Sequence, residues 1–407
     1  MSQKKFYGWK LSWFSCLSNF CLQGSGVYLM NALIQPLNEA YGWSRGELSL
    51  TMGLGSFCGI ASMSLLMMLA KYTGLRAMML AGAAIGSLCI ILLGQLTELW
   101  AFSVAFTLLW ICGQACGGAI SNVLMTNWFS KKRGEAFGIA NFGTSFSGAI
   151  LPFVMLALLH CFGIPTATFF VGAVCMCVLV YLGWKLVRDD PKVLGMHPDG
   201  EEPATTESEL APAKTEERLS WAALFKTTPA TRIGFAFAFG LMTAAGVVSQ
   251  LKPRFSDLGF SDYSSMALMC LTALCAALGK YLWGWVSDHI PVMFAARMLF
   301  ICNILGLFIA FLPVNIYSSL AFAVGCGVFL GGFWTMYPAV VAHVFGKEHF
   351  SEAYSYTSVF VVLKSVGYVA MGMSFEYFMT YDMAFLFFGA MLFIGFVLLT
   401  NIRPYKA

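Results

Sequence analysis

Long apolar runs recur along this chain, separated by short clusters of charge, glycine and proline. Each approaches the ~20 residues that a helix needs to cross a ~30 Å hydrocarbon core. In hydrocarbon the backbone N–H and C=O groups of such a run must be satisfied within the segment, which selects the α-helix. Twelve runs can be drawn, near 9–34, 47–70, 76–96, 100–127, 134–159 and 166–186, then 231–251, 263–287, 293–313, 317–344, 352–376 and 383–402. The expected fold is an all-α membrane protein of twelve transmembrane helices. Only 11% of the residues are charged, against roughly 25% in ordinary globular domains, which excludes a soluble enzyme.

Between the sixth and seventh runs, Arg188 to Thr228 is rich in Glu, Pro, Thr and Lys and has little to bury. The expected organisation is an N-terminal six-helix half over 1–187, a cytoplasmic linker over 188–228, and a C-terminal six-helix half over 229–407. Sidedness follows from the basic residues, which accumulate in cytoplasmic loops. Of the 24 Lys and Arg, only Arg45, Lys252 and Arg254 fall on the outer side if the N-terminus is inside, while Lys280 and Lys364 lie within spans. The rest are cytoplasmic, so both termini are expected in the cytoplasm and the protein in the cell inner membrane. With its basic residues used in this way, the net charge of +4 points to a lipid bilayer rather than to nucleic acid.

Cys58, Cys89, Cys112, Cys116, Cys270, Cys275 and Cys326 sit inside apolar runs and no C-x-x-C pair occurs, so the cysteines read as small buried hydrophobes. The segment Met1 to Lys10 lacks the short apolar core and small-residue site of a cleaved signal. The histidines His160, His197, His289, His343 and His349 are scattered at helix ends and loops. They form no ligand cluster, and no metal or cofactor is implied. Gly113, Gly117 and Gly118 are followed by no Gly-Lys-Ser/Thr and read as close helix packing rather than a phosphate loop.

Several motifs carry a resemblance. Tyr7-Gly8-Trp9 precedes the first run and Gly42-Trp43-Ser44-Arg45 follows it; Trp128-Phe129-Ser130-Lys131-Lys132-Arg133-Gly134-Glu135-Ala136-Phe137-Gly138 joins runs four and five; Gly331-Gly332, Tyr337-Pro338 and Phe345-Gly346 mark the tenth. In this order and spacing they resemble the major facilitator superfamily, within it the branch of monocarboxylate transporters and oxalate/formate antiporters. The resemblance implies alternating access around a site near the midplane between two related halves. The superfamily's Gly-x-x-x-Asp loop survives after run eight as Gly284 and Asp288, but Met67 and Lys71 occupy the corresponding positions after run two.

Two lysines carry the chemistry. Lys280 lies eight residues before Asp288, about 12 Å in from one boundary, and Lys364 twelve residues before Glu376, about 18 Å from the other. A Lys at the centre of a spanning helix costs about 2.5–3.5 kcal/mol, so it normally faces the interior and has a partner. All 20 acidic residues can be placed outside the membrane core. Two ammoniums about 8 Å apart repel by about 2 kcal/mol at an effective dielectric of 20, which a bound anion relieves. The alternative is snorkelling of each stem to the nearer interface. By resemblance, Lys364 matches the eleventh-helix lysine of the antiporters and Lys280 stands where the branch usually has Arg. Ala276 replaces the Asp that proton-coupled members tend to carry one turn earlier.

Helical spacing places Ala273, Ala276 and Ala277 on the face of Lys280, and Phe360 and Tyr368 beside Lys364. Trp334 and Tyr337 resemble aromatic pocket residues of the antiporters, and Tyr28 their first-helix tyrosine; plain packing is the competing reading for each. Gln114, with Asn141, Thr144 and Ser145, reads either as ligand-binding or as interhelical glue. The expected function is secondary transport of a small organic anion, a mono- or dicarboxylate, by exchange, with proton-coupled monocarboxylate symport as the alternative. Lys280, Lys364, Tyr28, Trp334, Tyr337, Gln114 and Tyr368 are the expected substrate-binding residues. No catalytic constellation supports an integral-membrane enzyme, and the tail and linker are too small for a receptor's output domain. Two halves in one chain make a monomer sufficient.

Overall fold

In the computed structural model, which describes residues 6–129, 133–198, 228–313, 315–345, 350–400 and 402, the chain forms twelve helical passes. α1 spans 8–41; α2 joins Arg45–Ala61 to Met63–Thr73; α3 is Leu75–Leu93; α4 joins Leu99–Cys116 to Gly118–Trp128. The helix Arg133–Leu186 reverses at Gly163, where φ is +74°, a conformation open to glycine at no steric cost, and so divides into α5 and α6. The second half holds α7 (Thr228–Ser249), α8 (Asp262–His289), α9 (Val292–Phe308), α10 (Ile316–Phe345), α11 (350–378) and α12 (Asp382–Thr400). Among the described residues nine helices are long and apolar enough to cross a membrane. One of these is the α5–α6 pair; α1 and α2, each divided by an irregular turn, are not among the nine. The linker residues 199–227, together with Lys131, Lys132, Gly346 and the side chains of Lys71, Arg133, Glu135 and Asp288, lie outside the described residues.

With an even number of passes, α1 begins and α12 ends at the same face, here called the terminal face; the opposite one is the distal face. The halves meet where α2 packs on α11 and α5 on α8. In the first of these the backbones approach so closely that a Cβ on Gly372 would lie 2.2 Å from Ser49, and one on Gly53 would lie 2.8 Å from Val369. Small residues at such crossings replace the hydrophobic drive that lipid cannot supply.

Irregular turns interrupt three site-bearing helices. Two π-turns, Asn19–Gln23 and Ser25–Leu29, run through α1, α4 breaks at Gly117, and a 3₁₀ turn, Val359–Leu363, precedes the second segment of α11. Such turns inside a helix often mark hinges and functional positions.

The superfamily loop that lacks its Asp at Lys71 has a carboxylate supplied from elsewhere. Asp189, just beyond α6, accepts from the backbone N–H groups of Leu75 at 3.1 Å and Arg76 at 2.8 Å, at the start of α3. Its carbonyl accepts from Asn127 at 3.1 Å, and Arg188 O accepts from Trp128 Nε1 at 2.9 Å. An anion on free N–H groups at a helix start is favoured by the helix dipole. Asp189→Ala is expected to cost about 1 kcal/mol, read as a lower thermal-unfolding midpoint in detergent; an unchanged midpoint would show that the cap contributes nothing.

Candidate functional site

Lys364 opens the second segment of α11 and is 9% exposed. Its Nζ lies 5.3 Å from the ring centroid of Trp110 on α4 and 5.6 Å from that of Trp334 on α10. The ammonium is thus held between two indole faces, one from each half, an attraction that strengthens when desolvated. Tyr368, one turn further along α11, meets the Trp110 ring edge-on with centroids 6.3 Å apart.

Lys280, on α8, donates from Nζ to Ser145 Oγ on α5, a second bond across the halves. Its backbone carbonyl accepts from Thr335 Oγ1 at 3.0 Å. Thr335 follows Trp334, so neighbouring residues of α10 touch the backbone of Lys280 and the ammonium of Lys364. A Cβ on Gly148 of α5 would lie 2.6 Å from the Tyr28 ring and 2.9 Å from Ala273 on α8, so all three surfaces converge.

Among the described residues neither lysine has an ion pair. Every charge at this site belongs to the C-terminal half, and the N-terminal half offers a hydroxyl and an indole face. Such a cradle can neutralise an anion through two charge-assisted bonds.

Two expected site residues direct their polar atoms elsewhere. Gln114 Oε1 accepts from Ala119 N at 3.2 Å, serving the α4 break together with Asn19, whose Oδ1 accepts from Gly118 N at 3.1 Å. The break frees backbone donors, and an amide side chain satisfies them. Tyr337 is buried within the C-terminal half, its hydroxyl bonded to Thr357 at 2.7 Å and Ser358 at 3.2 Å and its ring packed on Phe237 and Tyr354. Phe360, expected beside Lys364, packs against Phe235 and Tyr356. Trp110 was not anticipated, since a tryptophan in a membrane helix carries no mark of which neighbour it faces.

At the distal face the halves are bonded directly. The Arg45 guanidinium at the start of α2 forks onto both carboxylate oxygens of Asp257, the second bond at 2.8 Å, donates to Tyr381 Oη at 2.7 Å, and lies 3.9 Å from the Phe375 centroid. Burial pushes the Tyr381 phenol pKa up, with Arg45 pulling against it. Lys252, 2% exposed, donates to Gln35 of α1 and to Asp262 at 2.7 Å. Gln250 Nε2 donates to Ser49 Oγ at 2.7 Å, and Ser44 Oγ to Glu376 at 3.0 Å.

Arg254, the third outer cation, turns into its own half, 4.3 Å from the Phe322 centroid. Toward the terminal face, Met63–Thr73 of α2 and Phe350–Ser358 of α11 make their main contacts within their own halves. The distal side is therefore shut by a polar latch.

These features define a multi-pass membrane protein of twelve helices in two halves, with a cationic site at their junction. The chain belongs to the Major Facilitator Superfamily, whose sequence profile matches residues 15–361 and again 255–407. It is 23% identical to the uncharacterized transporter ESBP6 of Saccharomyces cerevisiae over 86% of this chain and 52% of that protein. It is 22% identical to monocarboxylate transporter 10 of Mus musculus over 86% of this chain and 68% of that one. A shorter stretch, 27% of this chain, is 34% identical to 25% of the membrane sensor protein UhpC of Escherichia coli.

The chain thus spans about half the length of the first of these relatives and a quarter of the sensor. Among solved structures, a bacterial homolog of the human lysosomal transporter Spinster, inward-facing and unoccupied, superposes with a TM-score of 0.73 at 17% identity, covering 93% of this chain and 84% of that one. The D-xylose–proton symporter gives 0.74 at 12% identity, covering 98% of each. Both comparisons establish the fold.

Proposed function

We propose that the protein is a secondary carrier of small organic anions, carboxylates in particular, held by Lys280 and Lys364 between the halves and moved by exchange. The observation that carries this reading is a pair of intramembrane ammoniums whose described partners are a hydroxyl and two aromatic faces. A buried cation without a counter-charge is costly in hydrocarbon, and a carboxylate is the partner this site lacks. Trp110 and Trp334 wall the Lys364 ammonium on two sides, and Ser145 holds Lys280 across the interface.

Exchange follows from the same charge. The empty site keeps its two positive charges, so returning it unloaded is unfavourable, and a counter-anion restores neutrality. The resemblance to monocarboxylate transporter 10 over most of the chain supports the carboxylate reading. The expected result in proteoliposomes at equal pH is that internal carboxylate stimulates labelled carboxylate uptake at least tenfold, on the order of the cost of an unpaired buried charge. Uptake into empty vesicles driven by an inward proton gradient, and abolished by a protonophore, would instead establish symport.

A further inference from the structure

The distal ends of α9 and α12 enclose a groove of about 340 Å³ on the outside of the bundle. Its rim is formed by Phe308, Phe311, Leu386 and Phe393, all exposed, and its floor by Leu307 and Phe385, both buried. We propose that this groove is a binding site for an anionic phospholipid of the distal leaflet, with one acyl chain in the groove and the phosphate on Arg254 at its mouth. The inference stands apart from the anion site between the halves, and neither Lys280 nor Lys364 takes part in it.

Three observations support it. The first is shape. Along α12 the groove extends from Phe385 to Phe393, about 12 Å at 1.5 Å per residue. That is most of the ~15 Å that one leaflet contributes to a ~30 Å hydrocarbon core. Asp382 opens α12 at the distal boundary, so the groove starts near the headgroups and runs inward alongside the lipid chains. A single water takes about 10–15 Å³ of such space, so the volume accommodates a run of methylenes. None of its lining side chains is polar. A Cβ on Gly389 would meet nothing within 4 Å, so the absent side chain leaves the middle of the groove open.

The second is an unpaired cation at the mouth. The Arg254 guanidinium lies 5.1 Å from the centroid of the floor ring Phe385 and donates at 3.3 Å to the carbonyl of Ala310, next to Phe311. A guanidinium has five N–H donors, and among the described residues this is its one hydrogen bond. The Asp382 carboxylate acts on it through space without reaching ion-pair distance. Arg254 is 7% exposed, so little water compensates its charge, and a cation so placed normally has a partner. The faces of Phe322 and Phe385 attract it but do not neutralise it. A phosphate diester offers the planar fork two acceptor oxygens.

The third is anchorage. Arg254 belongs to the short helix Leu251–Asp257, which Lys252 ties to Gln35 and Asp257 to Arg45 of the other half. The backbone that carries the guanidinium is thereby held at the distal boundary, where lipid phosphates lie.

The test uses the full chain in detergent with phosphatidylglycerol bearing a photoreactive diazirine on one acyl chain. After irradiation, adducts mapped by mass spectrometry are expected to concentrate on Phe308, Phe311, Leu386 and Phe393. Unlabelled phosphatidylglycerol is expected to displace the probe at a concentration about tenfold below that of phosphatidylcholine with the same chains, the factor for one charge-assisted hydrogen bond. Inorganic phosphate is expected not to displace it.

Arg254→Gln is expected to erase the preference for the anionic lipid, and Arg254→Lys to keep part of it. Gly389→Leu, which fills the groove and leaves the cation in place, is expected to lose the groove adducts. Adducts spread over all lipid-facing helices, equal competition by the two lipids, or a preference that survives Arg254→Gln would overturn the site. Displacement by inorganic phosphate would overturn it too, because Arg254 would then bind a free anion with no lipid chain in the groove.

Discussion

Lys364→Gln is expected to reduce carboxylate uptake at least a hundredfold while leaving the purified protein folded. The mutation deletes the charge that a bound carboxylate would pair with inside the bilayer. Removing one partner of a buried ion pair costs about 3–5 kcal/mol, and 1.4 kcal/mol is a factor of ten in affinity. The empty protein loses no ion pair, because the described partners of this ammonium are the Trp110 and Trp334 rings. Relieving an uncompensated charge in hydrocarbon is neutral or stabilising. The measurements are uptake into proteoliposomes and the thermal-unfolding midpoint. Wild-type uptake by a normally folded variant would falsify the assignment of Lys364 to the anion site, whereas a collapsed midpoint would mean that the lysine supports the bundle.

Arg45→Ala is expected to release the distal latch and move the conformational equilibrium toward a distally open state by about thirtyfold. The lost fork onto Asp257 and the bond to Tyr381 are charge-assisted, and such bonds contribute about 1.5–3 kcal/mol. Asp257 is also left without its counter-charge. Pulsed spin-label distances between the distal ends, with labels at Glu39 and Tyr377 in a background free of reactive cysteines, would lengthen and broaden. An unchanged distribution would assign closure to the α2–α11 crossing alone. Arg45→Lys should fall between the two, because an ammonium lacks the planar fork that reaches both carboxylate oxygens.

Much of the architecture was legible from one dimension of the chain. Hydropathy and length located twelve spans because a bilayer imposes one dominant requirement on every crossing segment. The two intramembrane lysines stood out for the same reason: charge inside an apolar run is costly and therefore informative. Breaks within spans were not legible. The turn at Gly117 and the π-turns of α1 are local exceptions held by side chains far away in sequence, with Asn19 bonding to Gly118. Tyr337 and Gln114 have the right chemistry for a pocket, yet their hydrogen bonds complete helix packing; composition cannot separate those uses. Arg45 and Lys252 counted as orienting charges at the outer boundary. Their partners Asp257 and Gln35 lie more than two hundred residues away, and no spacing rule connects them.

On the proposed reading, the two unpaired ammoniums of the site give membrane voltage a direct influence on the carrier. While both ammoniums are protonated, an empty site that changes access exposes two positive charges to the other compartment. This is equivalent to moving charge through part of the transmembrane field, at about 2.3 kcal/mol per full elementary charge per 100 mV. A negative compartment therefore draws the vacant site toward itself. A bound monoanion halves that pull, and a dianion would cancel it. The cargo's charge then sets not only whether it binds but also how strongly the loaded protein responds to the energised membrane.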